Sequence, residues 1–449
     1  YSQLARWQKE VKAPTDISMT PKAVTILTQS INEQNRMDLF RMRAARVGKD
    51  ELCAVDSTSI SSYGFNLVDI RWGRNKEHLP LRQTVEVVVY SITSHMPIFY
   101  LELPGNMPDS RTVELIMKEL EHAGFRNLIL ITDRGYESLK NLELYISRRQ
   151  KVITSVKVGQ GDVLKKIKAI DLSSGIPEGM SYDTKSELFY SQYDCSYSVK
   201  GNGDNVIEAD RLKINLYFSV EGRARAITAM QNDIAEQTAM AQRLVDSKET
   251  IADERSLARQ LNMLSLTIDD KKQILTKFEV DREKRDVRLR TSGFFASKTV
   301  GLDLDPLQAM DNYGMRDEQE KCFQLQKGPL GQDRTRCWSE SAKHGRMFIC
   351  FVGLILASYV RSVWESNDYL RKKFGSTESV LAEMRTIRCI EHKGRLKFVT
   401  PFVGEQVEIC KAFGFDIPVG CAPAYTSKAK SKTPKRGRPS KPKTEIQEI

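Results

Sequence analysis

NLILITDRGY, residues 127–136, decides the fold. Leu128 to Thr132 are unbroken in their hydrophobicity, without the alternation of a strand wet on one face, so they read as a buried parallel strand. That strand delivers Asp133 at its C-terminal end. Working outward, VELIMKELEHAG (113–124) has helical periodicity, ends at Gly124, and has Asp109 or Ser110 available as its cap. Before it, TVEVVVYSIT (84–93) and PIFYLEL (97–103) are β-branched and aromatic runs separated by SHM, the pattern of a hairpin or meander. ELCAVDSTSI (51–60) holds an earlier strand around Leu52 to Asp56, with Asp56 at its end. A helix to about Arg149 and the strand VITSVKV (152–158) complete an α/β unit over residues 51–158.

The composition changes after Gly159. ELFYSQYDCSYSV and RLKINLYFSV, within 182–220, fit a small antiparallel sheet, and residues 223–290, highly charged and free of Pro and Gly, fit one or two long surface helices. Residues 159–296 therefore read as an insertion domain. Residues 297–415 return to strong helical pattern and form the second part of the core. Residues 1–50 read as an N-terminal remnant of a DNA-binding region, since the chain opens on Tyr1 rather than Met.

Two or three domains are expected for 449 residues. The formal charge is +11, and residues 426–449 hold eight Lys or Arg against two Glu, which leaves only +5 for the rest. The stretch 416–449 is thus a basic tail, too poor in apolar residues to build a core and expected to be disordered when unbound; its natural partners are polyanions. Eight cysteines without a CxxC pair argue against a zinc site or a disulfide frame and for a reducing, cytoplasmic setting. The apolar run Met347–Val360 falls short of the roughly 18–20 residues that span a bilayer and reads as a buried helix. No Walker loop or dinucleotide fingerprint is present.

Tyr313, Arg316, Glu320 and Lys327 carry the strongest chemical pattern. Offsets of three, seven and fourteen residues fall within roughly 60° on a single helix. One carboxylate thereby shares a face with groups that seek phosphate. With Asp56 and Asp133 at neighbouring strand ends, Glu320 supplies a third carboxylate, and three carboxylates can hold two hard ions, Mg²⁺ or Mn²⁺, for phosphoryl transfer. Read without this convergence, each aspartate is a turn or cap residue and the helix face a row of surface ion pairs.

The spacing Y-x2-R-x3-E-x6-K, met by Tyr313, Arg316, Glu320 and Lys327, resembles the signature of the DDE transposases of bacterial insertion sequences, in the group with a long β-rich insertion before the glutamate. DSTSISSYG around Asp56 and ITDRGYES around Asp133 are similar to that family's first and second aspartate motifs, and GNMPD (105–109) to the segment between them. The resemblance, over residues 50–415, implies an RNase H-like mixed sheet flanked by helices. It implies Asp56, Asp133 and Glu320 as catalytic metal ligands for two Mg²⁺ or Mn²⁺ ions, and Tyr313, Arg316 and Lys327 as DNA contacts. The implied reaction is cleavage at transposon ends followed by attack of the freed 3′-hydroxyl on target DNA. A homo-oligomer on double-stranded DNA, in the bacterial cytoplasm at the nucleoid and with no membrane, follows from the same resemblance. Two alternatives stay open: a nuclease or resolvase on the same fold, and a non-catalytic DNA-binding protein. Relatives stack a flipped base on a Trp in the insertion, whereas Trp7, Trp72, Trp338 and Trp364 all lie outside residues 134–319. If a base is flipped here, Tyr190, Tyr193, Phe294 and Phe295 are the aromatics that could hold it; the alternative reading of each is a core residue.

PKRGRP (434–439) resembles an AT-hook, in which Arg436 and Arg438 lie along a narrow minor groove, Gly437 permits close approach and Pro439 holds the strand extended; the alternative is a generic basic linker that binds phosphates without sequence preference.

Overall fold

The computed structural model describes residues 4–11, 13, 15–64, 66–74, 80–159, 161–200, 206–269, 271–390 and 398–417. The AT-hook-like stretch with Arg436, Gly437, Arg438 and Pro439, and the expected disorder of the tail beyond 417, lie outside the described residues. Two compact units emerge, one from Met19 to Ser358 and one from the residues up to Ser18 with those from Tyr359 onward.

In chain order the first elements are α1 (Leu4–Glu10), α2 (Pro21–Ser30), α3 (Glu33–Ala44), β1 (Leu52–Ser62), β2 (Arg82–Ser91), β3 (Met96–Pro104), α4 (Val113–His122), β4 (Ile129–Thr132), α5 (Leu139–Ser147) and β5 (Lys151–Val156). β2 and β3 pair antiparallel, as do β1 and β2, while β1–β4 and β4–β5 are parallel. This mixed sheet flanked by helices is the RNase H-like arrangement that the resemblance implied. Gly124 ends α4 in the left-handed region, at φ 94°. The expected cap at Asp109 or Ser110 does not form. Asp109–Arg111 make a 3-10 turn, and α4 begins after Thr112 without a side-chain cap.

Beyond β5 come α6 (Gly161–Ala169), β6 (Ser181–Asp183), β7 (Leu188–Asp194), β8 (Ser198–Lys200), β9 (Val206–Glu208), β10 (Lys213–Phe218), α7 (Val220–Ser247), α8 (Glu254–Gln260), β11 (Leu264–Asp269), β12 (Ile274–Val280), α9 (Arg282–Thr291) and β13 (Phe294–Val300). Of the small antiparallel sheet expected over 182–220, β8 and β9 pair by themselves, while β6, β7 and β10 are continuous with the main sheet. β13 pairs antiparallel with β5, then β10, β7 and β6 follow in order, to give the sequence β3-β2-β1-β4-β5-β13-β10-β7-β6 in a sheet whose tenth strand lies beside β1. The physical cause is that β5 would otherwise be an exposed, apolar edge. Val156, Ile214, Leu216, Phe218 and Ala296 bury against Val163 and Ile167 of α6.

Residues 223–290 are not helices throughout. The 28-residue α7 carries a lobe in which the β11–β12 hairpin and α8 enclose Ala241, Leu257, Leu261, Leu264 and Leu275.

The chain then gives α10 (Pro306–Gly314), α11 (Asp317–Lys327), β14 (Arg334–Thr335) and α12 (Glu340–Ser366). Among the described residues α12 alone is long and apolar enough to cross a membrane. Its Met347, Phe351 and Leu354 belong to the main core with Phe40, Val87, Phe99 and Tyr100, while Leu356 and Tyr359 on the same helix are exposed. α3, within the stretch read as an N-terminal remnant, supplies Met37 and Phe40 to this core.

In the second unit α13 (Asp368–Lys373), α14 (Thr377–Met384) and α15 (Gly404–Phe413) enclose Leu370, Phe374, Val380 and Ile409, and the short β15 (Cys389–Ile390) pairs with β16 (Phe398–Val399). The Trp364 indole donates to the Phe374 carbonyl at 3.0 Å.

Gly105, which opens the GNMPD segment, is held where no side chain fits. A Cβ there would lie 1.9 Å from the Gln83 carbonyl oxygen and 2.9 Å from that of Arg71. Gly105→Ala is expected to cost about 1–3 kcal/mol through forced displacement of β2, read as a lowered urea midpoint. An unchanged midpoint would show that the β2 contact yields freely.

Candidate active site

Asp56 and Asp133 reach the site by register. Val55 is paired with Thr132 across the parallel β1–β4 ladder, so the two aspartates stand next in line on adjacent strands. Ala54 and Ile131 share the core cluster on one face of the sheet, and Asp56 and Asp133, two residues on from each, continue that face. Asp56 was expected at a strand end. It lies in mid-strand instead, because β1 runs on to Ser62 through Ser57, Thr58 and Ser59, all buried. Small hydroxyl side chains let this half of the strand stay paired to β2 while reading as a turn in sequence.

β4 stops at Thr132, and β14 joins β1 only at Ser61 and Ser62. Between these points no strand among the described residues flanks β1 on that side. Beside it lies a cleft of about 770 Å³ lined by Ser57, Thr58, Asp109, Asp133, Gly135 and the basic residues Arg74, Arg134 and Lys157; of Asp56, Asp133 and Glu320 only Asp133 lines it. Clefts of this kind, at the ends of sheet strands, are where α/β folds bind ligands.

Glu320 comes from α11. Tyr313 through Lys327 do not form the single helix that their spacing suggested, since α10 ends at Gly314 and α11 starts at Asp317. Gly314 weakens the helix there, and the backbone tightens to three-residue bonds: Arg316 N–H to Tyr313 O at 3.1 Å and Gln319 N–H to Arg316 O at 2.9 Å. The break leaves Arg316 as the N-terminal flank of α11. Its guanidinium stands 3.7 Å from Asp133 Oδ2 and 3.9 Å from Glu320 Oε1, and packs over the Tyr313 ring at 5.4 Å. One cation therefore faces two of the three carboxylates. Arg316 Nη1 is buried without a hydrogen-bond partner, which a bound anion would satisfy.

Gln319 was missed in the sequence and fixes the third carboxylate. Fully buried, it donates from Nε2 to the Val88 carbonyl at 2.6 Å, and Val88 is the β2 partner of Asp56. The residue before Glu320 is thus bolted to the backbone opposite Asp56. Two turns on, Gln326 donates to Glu86 Oε2 at 2.7 Å. The Gln-x6-Gln spacing, one position out of phase with Glu320 and Lys327, was the available signal.

The remaining predicted residues fall at different depths. Lys327 is half-buried at the end of α11, and buried Glu86 has its pKa pushed well up by burial and by Glu102 and held back by Gln326 and by the Lys327 charge. Tyr313 packs in part against the cluster of Ala54, Ile131 and Ile153. Phe294 is buried against Phe218, and Lys166 lies over Tyr193. Phe295 is 41% exposed and stacks on Tyr217 with centroids 4.9 Å apart. Tyr190 is half-buried on β7.

The described residues contain no ready cluster of three ligating side chains. The donors nonetheless suit a hard cation, since all are carboxylate oxygens; Asp56 and Asp133 each accept one backbone N–H on Oδ1 at 2.7 Å, from Ser57 and Gly135, and the Arg316 distances of 3.7 and 3.9 Å are too long to add hydrogen bonds.

The Transposase DDE domain family matches residues 48–356. The chain is a member of that family. Its match spans β1 through most of α12 and includes Asp56, Asp133 and Glu320. No curated protein matches the chain. Among solved structures, a cryo-EM structure of piggyBac transposase synaptic complex with hairpin DNA is similar at 10% identity, covering 91% of this chain and 77% of that one, with a TM-score of 0.27, too loose to carry weight.

Proposed function

We propose that this DDE-family protein cleaves DNA at the ends of a mobile element and transfers the freed 3′-hydroxyl into target DNA, with Asp56, Asp133 and Glu320 as its metal-ligating carboxylates. The observation that carries this reading is the anchoring of α11. Gln319 fastens it opposite Asp56 while Arg316 faces both Asp133 and Glu320. Two Mg²⁺ or Mn²⁺ ions, when bound by these carboxylates, would activate the attacking oxygen and stabilise the leaving one.

The chain's own residues supply the rest. Arg316, whose buried Nη1 faces Asp133 at 3.7 Å without a hydrogen bond, orients a phosphate beside Asp133. Arg74, Arg134 and Lys157 draw a polyanion along the cleft. Tyr313 braces the Arg316 guanidinium by its ring face. Lys327 acts near Glu86 and contributes to DNA binding from the outer end of α11. Joining two ends calls for two active sites, hence an oligomer on double-stranded DNA, working at the bacterial nucleoid.

Labelled element-end DNA incubated with a target plasmid and Mg²⁺ tests this. Joined product that disappears in Glu320→Gln supports transposition. Cleavage without joining identifies a nuclease or resolvase, and binding without either identifies a non-catalytic DNA-binding protein.

The tail is proposed to bind A·T-rich DNA through Arg436, Gly437, Arg438 and Pro439. Deleting residues 426–449 removes eight cationic residues. It is expected to lower DNA affinity and flatten its salt dependence, since each phosphate contact contributes about 0.9 to the slope of log K against log salt. The cleavage rate at saturating DNA should be unchanged. An unaltered salt slope would contradict this role.

A further inference from the structure

We infer that Asp109 is a positioning residue of the active site, the centre of a clasp that sets Asp56 and Asp133 against one another; the inference rests on the function proposed above. Asp109 ends the GNMPD segment, and instead of capping α4 its side chain turns back into the sheet. Its Oδ1 accepts a hydrogen bond from the Ser57 hydroxyl at 2.7 Å, and Ser57 is the immediate neighbour of Asp56. Its Oδ2 lies over Gly135, where a Cβ would stand 3.2 Å from it and 2.9 Å from Asp133 Oδ1.

Asp133 accepts from the Gly135 amide at 2.7 Å, so the same glycine holds the second carboxylate and seats the clasp. Asn141, buried on α5, closes the ring by donating to the carbonyls of Ser110 at 2.9 Å and Tyr136 at 2.7 Å. The turn that carries Asp109 is therefore tied to β1 on one side and to the Asp133 turn on the other. Beneath it the buried Tyr136 hydroxyl has its pKa pushed well up by burial and then by the charges of Asp109, Asp56 and Asp133.

A clasp of this kind acts through the orientation of its neighbours. Removing it should impair the rate with DNA bound and the response to metal, while DNA affinity holds. Outer-shell partners of metal ligands typically contribute about 10–100-fold. The test is a double-mutant cycle with Asp109→Ala, Ser57→Ala and the pair, plus Asp109→Asn, whose amide oxygen can still accept from Ser57. Wild type and Glu320→Gln run in the same Mg²⁺-dependent cleavage assay.

Each single alanine variant is expected to lower kcat by about 10–100-fold and raise the Mg²⁺ concentration for half-maximal rate, with KM for DNA within twofold. The pair should be no slower than the worse single variant, and Asp109→Asn should recover most of the rate. Additive losses, a rate within twofold for Asp109→Ala, or a KM rise equal to the loss would overturn the clasp. The same cycle in urea midpoints reads the contact without catalysis, with Asp109→Asn and Ser57→Ala carrying it if Asp109→Ala does not fold. A wild type that cleaves nothing overturns the proposed reaction, and the stability coupling then decides the clasp by itself.

Discussion

Glu320→Gln, Asp133→Asn and Asp56→Asn are each expected to reduce end cleavage by about 10²–10³-fold or more, the scale of losing one preorganised stabiliser of transition-state charge. DNA affinity should change by less than about twofold. Each substitution keeps size and shape and deletes one negative charge, so the loss reads electrostatics rather than packing. At Glu320 the structural cost is small. Its side chain is 61% exposed and its contact with Arg316 is 3.9 Å, a pair of the kind that contributes about 0–1 kcal/mol. The anchoring of α11 stays intact because Gln319, not Glu320, makes the bond to Val88. Cleavage assays at saturating DNA, with filter binding alongside, separate rate from affinity. Full activity in Glu320→Gln would remove it from the chemistry.

The second large effect is on folding. Phe40→Ala should destabilise the unit from Met19 to Ser358 by about 3–5 kcal/mol, the range for truncating a large buried aromatic. Phe40 is fully buried and lies 4.5 Å from Phe99, 5.3 Å from Tyr100 and 6.1 Å from Phe351, centroid to centroid. It is the point where α3, β3 and α12 meet, and such aromatic contacts add to simple area burial. Hydrogen exchange at the β3 amides, with a urea titration, measures the loss. A midpoint shift below about 1 kcal/mol would mean that α3 docks weakly and that the core closes without it.

The sheet around the site was legible because its strands are strongly apolar. NLILIT, TVEVVVYSIT and VITSVKV gave β4, β2 and β5 close to their observed bounds, and Asp133 stands where its strand stops. Three features were hidden for different physical reasons. The second half of β1 is built of buried Ser and Thr, whose composition says turn while their pairing with β2 says strand. The β11–β12 hairpin alternates polar and apolar residues, but the dense charge of residues 223–290 pointed to helix. Helical spacing placed Tyr313 to Lys327 on one face, yet angular position alone does not reveal a break at Gly314, and it was the break that turned Arg316 toward Asp133.

The site itself was half visible. Strand ends singled out Asp56 and Asp133, and spacing singled out Arg316 and Glu320, because charged residues announce themselves; the structure sets Arg316 beside Asp133 and Glu320. Gln319, Asn141 and Asp109 tie together the segments that carry those groups through hydrogen bonds between positions far apart in sequence. A neutral amide on a helix, or an aspartate after a proline, looks the same in sequence whether or not it makes such a bond.

The central claim is that Asp56, Asp133 and Glu320 converge on one divalent-cation site, and iron-directed cleavage of the polypeptide reads this most directly. Fe²⁺ substituted for Mg²⁺, with ascorbate and peroxide, generates radicals that cut backbone near the bound metal. Cuts confined to the segments around residues 56, 133 and 320, suppressed by excess Mg²⁺ and lost in Asp133→Asn, are the predicted result. Cuts elsewhere in the chain, or cuts that persist unchanged in Asp133→Asn, would contradict it.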